Sequence, residues 1–332
     1  MKNIAVIGAG MAGLSCSQAL QQAGYLVTVF EKSRGPSGRV STRQGEGWHC
    51  DHGAQYFTVS QPPFAAQVQK WLQLDVVAEW HGRLYEADGS GIRPKQSEKK
   101  RYVGMPKNTC PARHMAQSLT VELEQTVQEI RMVEGKWRVR SKEQEVYPQE
   151  FDKVVLAIPA PQAAALLDVH PAFKALAAGV KMRGCWALMA RYLQPLALPF
   201  DGVFVNDGPL SWVARDSHKP GRLQADSQVK DVWVLHASGE WSEAHLEDEP
   251  EAVAQEMLTA FLALGGAQPE AYSIHRWRYA DCADYLQQGF DWDAKQQLGV
   301  CGDWLNGGKV EGAWMSGYLL AQAMIQDCEP CD

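Results

Sequence analysis

Apolar positions open the chain in a short block, residues 4–7, which runs straight into Gly8-Ala9-Gly10-Met11-Ala12-Gly13. An amphipathic stretch follows, stopped by Gly24, and a second apolar block occupies residues 26–30. Brief apolar runs bounded by glycine predict buried strands, and the helical period between them predicts a helix. The order is strand, turn, helix, strand. It returns at the far end: residues 298–301 predict a buried strand, Gly302-Asp303-Trp304 a turn, and the segment opening at Glu311 a helix to Ile325. Between these ends the pattern predicts a helix over 64–72, strands over 186–192, 203–205, 212–215, 232–237 and 274–279, and a helix over 251–264 with apolar residues at 253, 257, 261 and 264. Along 232–237, period two sets Val232, Val234 and His236 on one face and Trp233 and Leu235 on the other. The middle therefore predicts an antiparallel sheet. The apolar stretch 154–167 is interrupted by Pro159 and Pro161 and is too short to span a bilayer.

Composition narrows the class. At 332 residues, a domain size of ~150 predicts about two domains. The hydrophobic share of 45% and charged share of 21% are those of an ordinary globular chain. A net charge of −7 disfavours a nucleic-acid grip, and the one basic cluster, residues 93–101, reads as a solvated hairpin. Eight cysteines are too sparse for a disulfide scaffold and show no zinc spacing, which predicts reduced thiols, a cytoplasmic protein and no metal; Cys328 and Cys331 read as inert tail thiols. Residues 1–16, with Lys2, an apolar run and Cys16, share the outline of a lipoprotein signal. Three glycines inside the run and a helix continuing past Cys16 favour the strand-turn-helix reading.

That reading carries chemistry. Gly8 permits the tight turn, Gly10 lets backbone approach a pyrophosphate, and Gly13 lets helix and strand pack closely, while the helix N-terminus offers free N–H groups. Glu31, 23 residues beyond Gly8 and ending the second strand, can accept hydrogen bonds from a ribose diol. Arg39 can reach back to the same pyrophosphate. At the far end, Asp303 suits the hydroxyls of a ribityl chain, and small Gly312 and Ala313 let the last helix approach a flavin's pyrimidine edge. Two helix N-termini some 300 residues apart predict one long ligand, and FAD fits that length.

The ensemble GAGMAG, Glu31, SGRVSTR, DHGAQYFT, VKM at 180–182, LHASGEWS at 235–242, HRWRY at 275–279 and CGDWLNGGKVEGAWMSG at 301–317 resembles the bacterial renalases, FAD enzymes of the flavin amine-oxidase fold, along essentially the whole chain. The resemblance implies noncovalent FAD held by Gly8, Gly10, Met11, Ala12, Gly13, Glu31, Lys32, Arg39, Gln55, Tyr56, Val127 (its backbone facing the adenine), Gly302, Asp303, Glu311, Gly312 and Ala313. Two departures stand out: Ser37-Gly38-Arg39 replaces Gly-Gly-Arg, and Lys107-Asn108 replaces Gly-Met after Val103-Gly104-Met105-Pro106.

The expected fold is α/β: a discontinuous Rossmann-like FAD-binding domain (1–60, 101–159 and 291–327) with an inserted antiparallel-sheet α+β substrate domain (61–100 and 160–290) and a tail, 328–332. Tyr56, together with aromatic residues of the insert, Trp186, His236, Trp277 and Tyr279 foremost, is expected to wall a flat substrate pocket. No triad, carboxylate dyad or metal spacing emerges, so no catalytic acid or base is assigned. That suits a dihydronicotinamide, whose oxidation yields an aromatic ring and needs no side-chain proton transfer. The implied activity is oxidation of 2- and 6-dihydro isomers of NAD(P)H to NAD(P)+, with O2 reduced to H2O2. Its partners are that small molecule and O2, with no nucleic acid and no membrane. The alternatives are an amine oxidase of the same fold, for which Lys309 is expected to be solvated, and an FAD-binding redox sensor without turnover.

Overall fold

In the computed structural model, residues 2–222 and 227–327 are described; Cys328 and Cys331 lie outside them. The opening strand, Asn3–Ile7, is the middle of a six-stranded sheet. Leu26–Phe30 and Lys153–Leu156 flank it in parallel, with Ile7 opposite Phe30 on one side and Leu156 on the other. Thr120–Glu122 continues one side in parallel and Leu298–Cys301 the other, with Phe290–Asp293 as an antiparallel edge. Both faces of the central strand are covered, which is why its sequence is continuously apolar. Ile4 and Val6 enter one core with helices Met11–Gln22 and Lys309–Gln326, while Ala5 and Ile7 enter another with helix Ala160–Leu166 and hairpin Val127–Val133/Lys136–Ser141.

Glycines set the spacing of the first layer. A Cβ at Gly13 would lie 1.9 Å from the Gly8 carbonyl oxygen, and one at Gly317 would lie 1.9 Å from that of Ala12, so the two helices touch backbone to backbone. Met315, Leu320 and Met324 of the closing helix are buried there, each side chain contributing ~1.5–3 kcal/mol. The apolar stretch 154–167 resolves into strand Lys153–Leu156 and helix Ala160–Leu166, with Pro159 at the N-cap and Pro161 in the first turn, where its missing N–H costs nothing.

A seven-stranded sheet forms the second body, in the order Ala271–Cys282, Met182–Tyr192, Asp231–Ala237, Leu210–Arg215, Gly202–Val205, Leu84–Asp88, Gly91–Pro94. The expectation of a purely antiparallel sheet is corrected at one place: Gly202–Val205 runs parallel to Leu84–Asp88. The latter arrives from a distant segment as part of its own hairpin, so no tight turn dictates its direction. Trp186, Trp233 and Leu235 face helix Pro250–Ala263, whereas Val232, Val234 and Trp212 face the other way. Strands over 186–192 and 274–279 are the ends or middles of longer ones, Met182–Tyr192 and Ala271–Cys282; a register shift between Arg183 and Cys185 masks the extra length in the pattern. The basic cluster begins in the exposed Leu84–Asp88/Gly91–Pro94 hairpin, where Arg93 pairs with Glu86 and Asp88, and Lys95 with Glu86. Among the described residues no helix is long and apolar enough to cross a membrane.

Candidate flavin and substrate site

A cavity of about 1710 Å³ is lined by the glycine turn, the closing helix and the inner face of the second sheet. Helix Met11–Gln22 begins at Gly10 with no side-chain cap and no acidic residue in its first turn. Its first-turn N–H groups are thus unclaimed donors at the positive end of the helix dipole. Gly8, Gly10, Met11 and Ala12 line the cavity. Gly8 adopts φ +107° with its missing Cβ against Ala157, whereas a Cβ on Gly10 would meet nothing within 4 Å, so the space beside Gly10 is open. Gly13 does not line the cavity; its role is the close packing already described. Glu31 does, and its position is fixed by N–H donors from Ala9 (3.0 Å, to Oε2) and Ser33 (2.8 Å, to Oε1). Lys32 and Val127 stand at the same end.

Midway, Arg39 and Asp303 form a two-pronged ion pair, and the guanidinium also donates to the Ala280 carbonyl at 3.1 Å. Of the Ser37-Gly38-Arg39 turn only Gly38 takes a positive φ, +57°, so serine at 37 is tolerated without strain. At the far end Gly302, Lys309, Val310 and Ala313 line the cavity, and helix Lys309–Gln326 begins at Gly308 with no side-chain cap. Lys309 is exposed.

Glu311 and Gly312 do not line the cavity. Successive helical residues are about 100° apart, so with Val310 and Ala313 facing the cavity, Glu311 turns away. Its carboxylate accepts from the Ser60 and Gln61 N–H groups at 2.7 Å each, holding the start of helix Pro62–Gln73. At Gly312 a Cβ would lie 2.3 Å from the Asn306 carbonyl oxygen, a packing constraint.

At the ring end, Trp277, Tyr279 and His236 line the cavity; Trp186 and Tyr56 do not. Sheet register decides this for Trp186. Ala187 pairs with both His236 and His275, and Cys185 with Trp277, placing these on one face; Trp186 pairs with Arg276 on the other. There it is 1% exposed and donates to the His245 carbonyl at 3.0 Å. Tyr56 packs among Trp80, Trp212 and Arg101. Gln55 lies behind the wall, donating to the Asp51 and Gly53 carbonyls (2.5 and 3.0 Å) and so shaping the turn that presents His52, Gly53 and Ala54.

One wall residue, His52, escaped the sequence reading of the pocket, and His275, interleaved with the insert's aromatic residues, joins it there. His52 stacks on Trp277 at 5.1 Å and meets His275 edge-on at 4.9 Å. Its carbonyl accepts from Trp277 Nε1 (3.0 Å) and His236 Nε2 (3.1 Å), which puts the His236 proton on Nε2. Burial, then the neighbouring His275, His236 and Arg43, push His52 down to about 3. Burial pushes His236 down to about 4 and lowers His275. The wall is therefore uncharged at neutral pH. Period-two spacing from Trp277 was a usable signal for His275; His52 had none beyond its motif.

Also illegible in sequence is a buried charge cluster behind the wall. Lys219 donates to Asp216 (2.7 Å) and Gln55 Oε1 (3.1 Å) and stands 3.6 Å from Asp51. Arg222 pairs with Asp51 at 2.5 Å and donates to the Gly104 and Pro106 carbonyls at 2.8 and 2.7 Å. Burial raises and Arg222 and Lys219 lower Asp51, which ends below its ordinary value; for Asp216 burial wins and its pKa is raised. Asn108 joins the cluster by donating its backbone N–H to Asp51 Oδ1 at 3.1 Å, and its side chain donates to Ala54 O at 2.7 Å, so the departure at 107–108 bears on a wall residue.

Uncapped helix starts at both ends, a fixed ribose-type carboxylate and open space beside Gly10 suit an elongated dinucleotide, and an aromatic wall at one end suits a flat ring. Comparison with known proteins sharpens this. Residues 6–71 match the NAD(P)-binding Rossmann-like domain, and residues 95–325 match the flavin containing amine oxidoreductase family. The chain belongs to the flavin-containing amine oxidoreductases. A stretch of 54 residues is 48% identical to the L-amino-acid oxidase of Daboia russelii, covering 16% of this chain and 11% of that protein. Among solved structures, putrescine oxidase bound to putrescine superposes with a TM-score of 0.76 at 15% identity, over 98% of this chain and 99% of that one. Cyclohexylamine oxidase from Brevibacterium oxydans IH-35A gives 0.71 at 12% identity, over 99% of each. At these identities the likeness is one of fold.

Proposed function

We propose that the protein is an oxidase with noncovalent FAD that converts 2- and 6-dihydro isomers of NAD(P)H to NAD(P)+. The observation carrying this reading is the ring-end wall: His52, His236, His275 and Trp277 are uncharged, and the carboxylates lining the cavity are engaged, Glu31 by backbone N–H groups, Asp281 by Arg183 and Asp303 by Arg39. Such a wall offers no strong base. A dihydronicotinamide requires none, because loss of hydride leaves a pyridinium and no proton has to be removed.

The first-turn N–H groups of helix Met11–Gln22, with Glu31, Arg39 and Asp303, would hold the cofactor's phosphate and hydroxyl groups, and the start of helix Lys309–Gln326 its ring edge. Bound FAD would supply a two-electron acceptor, and O2 would take the two electrons and two protons from its reduced form to give hydrogen peroxide. The wall's work is positional: the Trp277 and His52 rings stack with flat surfaces, and the Trp277 Nε1–H bond to the His52 carbonyl holds the indole there. Unpaired thiols at the six described cysteines support the reading of a reducing, cytoplasmic setting.

Anaerobic mixing of the yellow holoprotein with each dihydro isomer tests the proposal. Rapid loss of the flavin's visible absorbance is expected, and its absence with both isomers would refute it. Reduction by a primary amine instead would establish the amine-oxidase reading that the family likeness favours.

A further inference from the structure

We infer that Arg43, at the rim of the ring-end cavity, reads a phosphate ester on the substrate, so that nucleotides are bound in preference to the corresponding nucleosides. The inference rests on the dihydronicotinamide reading and assigns the residue that recognises the substrate's phosphate.

The first observation is charge. The chain as a whole is anionic, net −7, yet eight lysines and arginines and only three carboxylates line the cavity. Arg39, Arg140, Arg276 and Arg278 are paired with Asp303, Glu129 and Glu247, which leaves Lys32, Arg34, Arg43 and Lys309 without a carboxylate partner among the described residues, more cations than a cofactor pyrophosphate's roughly two negative charges would offset. A concave surface of one sign in a protein of the other focuses potential on oppositely charged ligands.

The second observation separates Arg43 from the other ring-end cations. Arg276 and Arg278 share Glu247, at 3.1 and 2.5 Å. The Arg43 guanidinium is exposed and, among the described residues, has no carboxylate or hydrogen-bond partner. It stands on strand Thr42–Gly45, whose pairing of Arg43 with Cys50 fixes it two residues from His52. Its charge acts on His52, His275 and Arg191. Among the described residues Arg191 also has no carboxylate partner: its guanidinium lies 4.2 Å from the Trp48 ring and donates to Ser273 Oγ and the Tyr272 carbonyl. Two neighbouring cations with no anion between them create the potential that an anionic ligand would relieve.

Position favours a phosphate over the carboxylate of an amino acid. In an amino acid the carboxylate is attached to the reacting carbon and would have to sit inside the wall. Arg43 lines the cavity from an exposed position, which suits an anion separated from the reacting ring by a spacer such as a ribose.

Holoenzyme would be reduced anaerobically by 6-dihydronicotinamide mononucleotide and by the matching riboside, for wild type, Arg43→Gln and Arg43→Lys, with visible flavin absorbance confirming that each variant is folded and loaded. The wild type is expected to half-saturate at a roughly ten-fold lower concentration of the nucleotide than of the riboside. Arg43→Gln should bring that ratio close to one by raising the nucleotide's half-saturating concentration rather than lowering the limiting rate, and Arg43→Lys should retain most of it. Raising ionic strength should narrow the wild-type ratio. Equal half-saturation of both substrates in the wild type, or an equal shift of both in Arg43→Gln, would overturn the assignment while leaving dihydronicotinamide oxidation standing. Arg43-dependent reduction by L-leucine would replace phosphate with carboxylate and also overturn it. If neither dihydronicotinamide reduces the flavin, the functional reading falls and this inference with it.

Discussion

Replacing Lys219 by methionine keeps most of the side chain's length and removes one of two cations that face two carboxylates in a fully buried cluster. In the native protein Lys219 lies 2.7 Å from Asp216 and 3.6 Å from Asp51, and both partners are inaccessible to solvent. After the substitution Asp51 keeps Arg222 at 2.5 Å, but Asp216 is left with Arg222 at 3.9 Å. Removing one partner of a buried pair costs ~3–5 kcal/mol. For a large chain at about 2 °C per kcal/mol, the midpoint of thermal unfolding should drop by roughly 6–10 °C.

The pH dependence has a definite sign. Burial already holds Asp216 above its ordinary value, and losing Lys219 raises it further. An acid whose folded pKa exceeds its unfolded one contributes stability that is present at low pH and lost as pH rises through the folded value. Lys219→Met should therefore lie closer to wild type at pH 5 than at pH 8, and adding Asp216→Asn should restore more than half of the loss at pH 8. Thermal unfolding of the four proteins of this cycle, at both pH values, gives the coupling directly. A single variant within 2 °C of wild type at both pH values, or no rescue by Asp216→Asn, would refute the reasoning.

The histidine wall predicts acid sensitivity: His52 and His236 have folded pKa values of about 3 and 4. A depressed folded pKa gives stability present above the unfolded value of ~6.5 and lost as pH falls through the folded one. Between pH 7 and 5 each imidazole should forfeit up to about 2 kcal/mol, and His52→Gln/His236→Gln should flatten the midpoint-against-pH curve in that window. Gly13→Ala, whose Cβ would fall 1.9 Å from backbone oxygen, should destabilise the flavin-free protein by about 3 kcal/mol. Gly10→Ala, whose Cβ would meet nothing within 4 Å, should spare the flavin-free protein's unfolding midpoint yet abolish flavin uptake in a fluorescence titration. Asp303→Ala frees Arg39 from its ion pair and should weaken flavin binding by about ten-fold or more, read by the same titration.

Much of the cofactor half was legible in the sequence because its constraints are local. Gly8, Gly10 and Gly13 act within a single strand-turn-helix unit of fixed geometry, and Glu31 ends the adjoining strand, so spacing along the chain translates directly into spacing in space. Glu311 sits in an equally recognisable segment but binds Ser60 and Gln61, because helical phase rather than motif membership decides which side chain meets the cavity. For the substrate half, residue type alone gave a weak signal. Trp186 and Trp277 are alike as sequence, and cross-strand register sends one beneath the sheet and the other into the cavity.

The apolar periodicity, the two glycine-bearing turns and the acidic residue after the second strand determine by themselves a dinucleotide-binding α/β chain, since each expresses backbone geometry over fewer than about 30 residues. Tertiary structure alone decides that His52, His236, His275 and Trp277 form one uncharged wall, that Arg39 finds Asp303, and that Lys219 and Arg222 neutralise Asp51 and Asp216 behind it. Those partners are separated by as many as 264 residues. Their meeting depends on how two sheets pack, and no pattern along a single element records that.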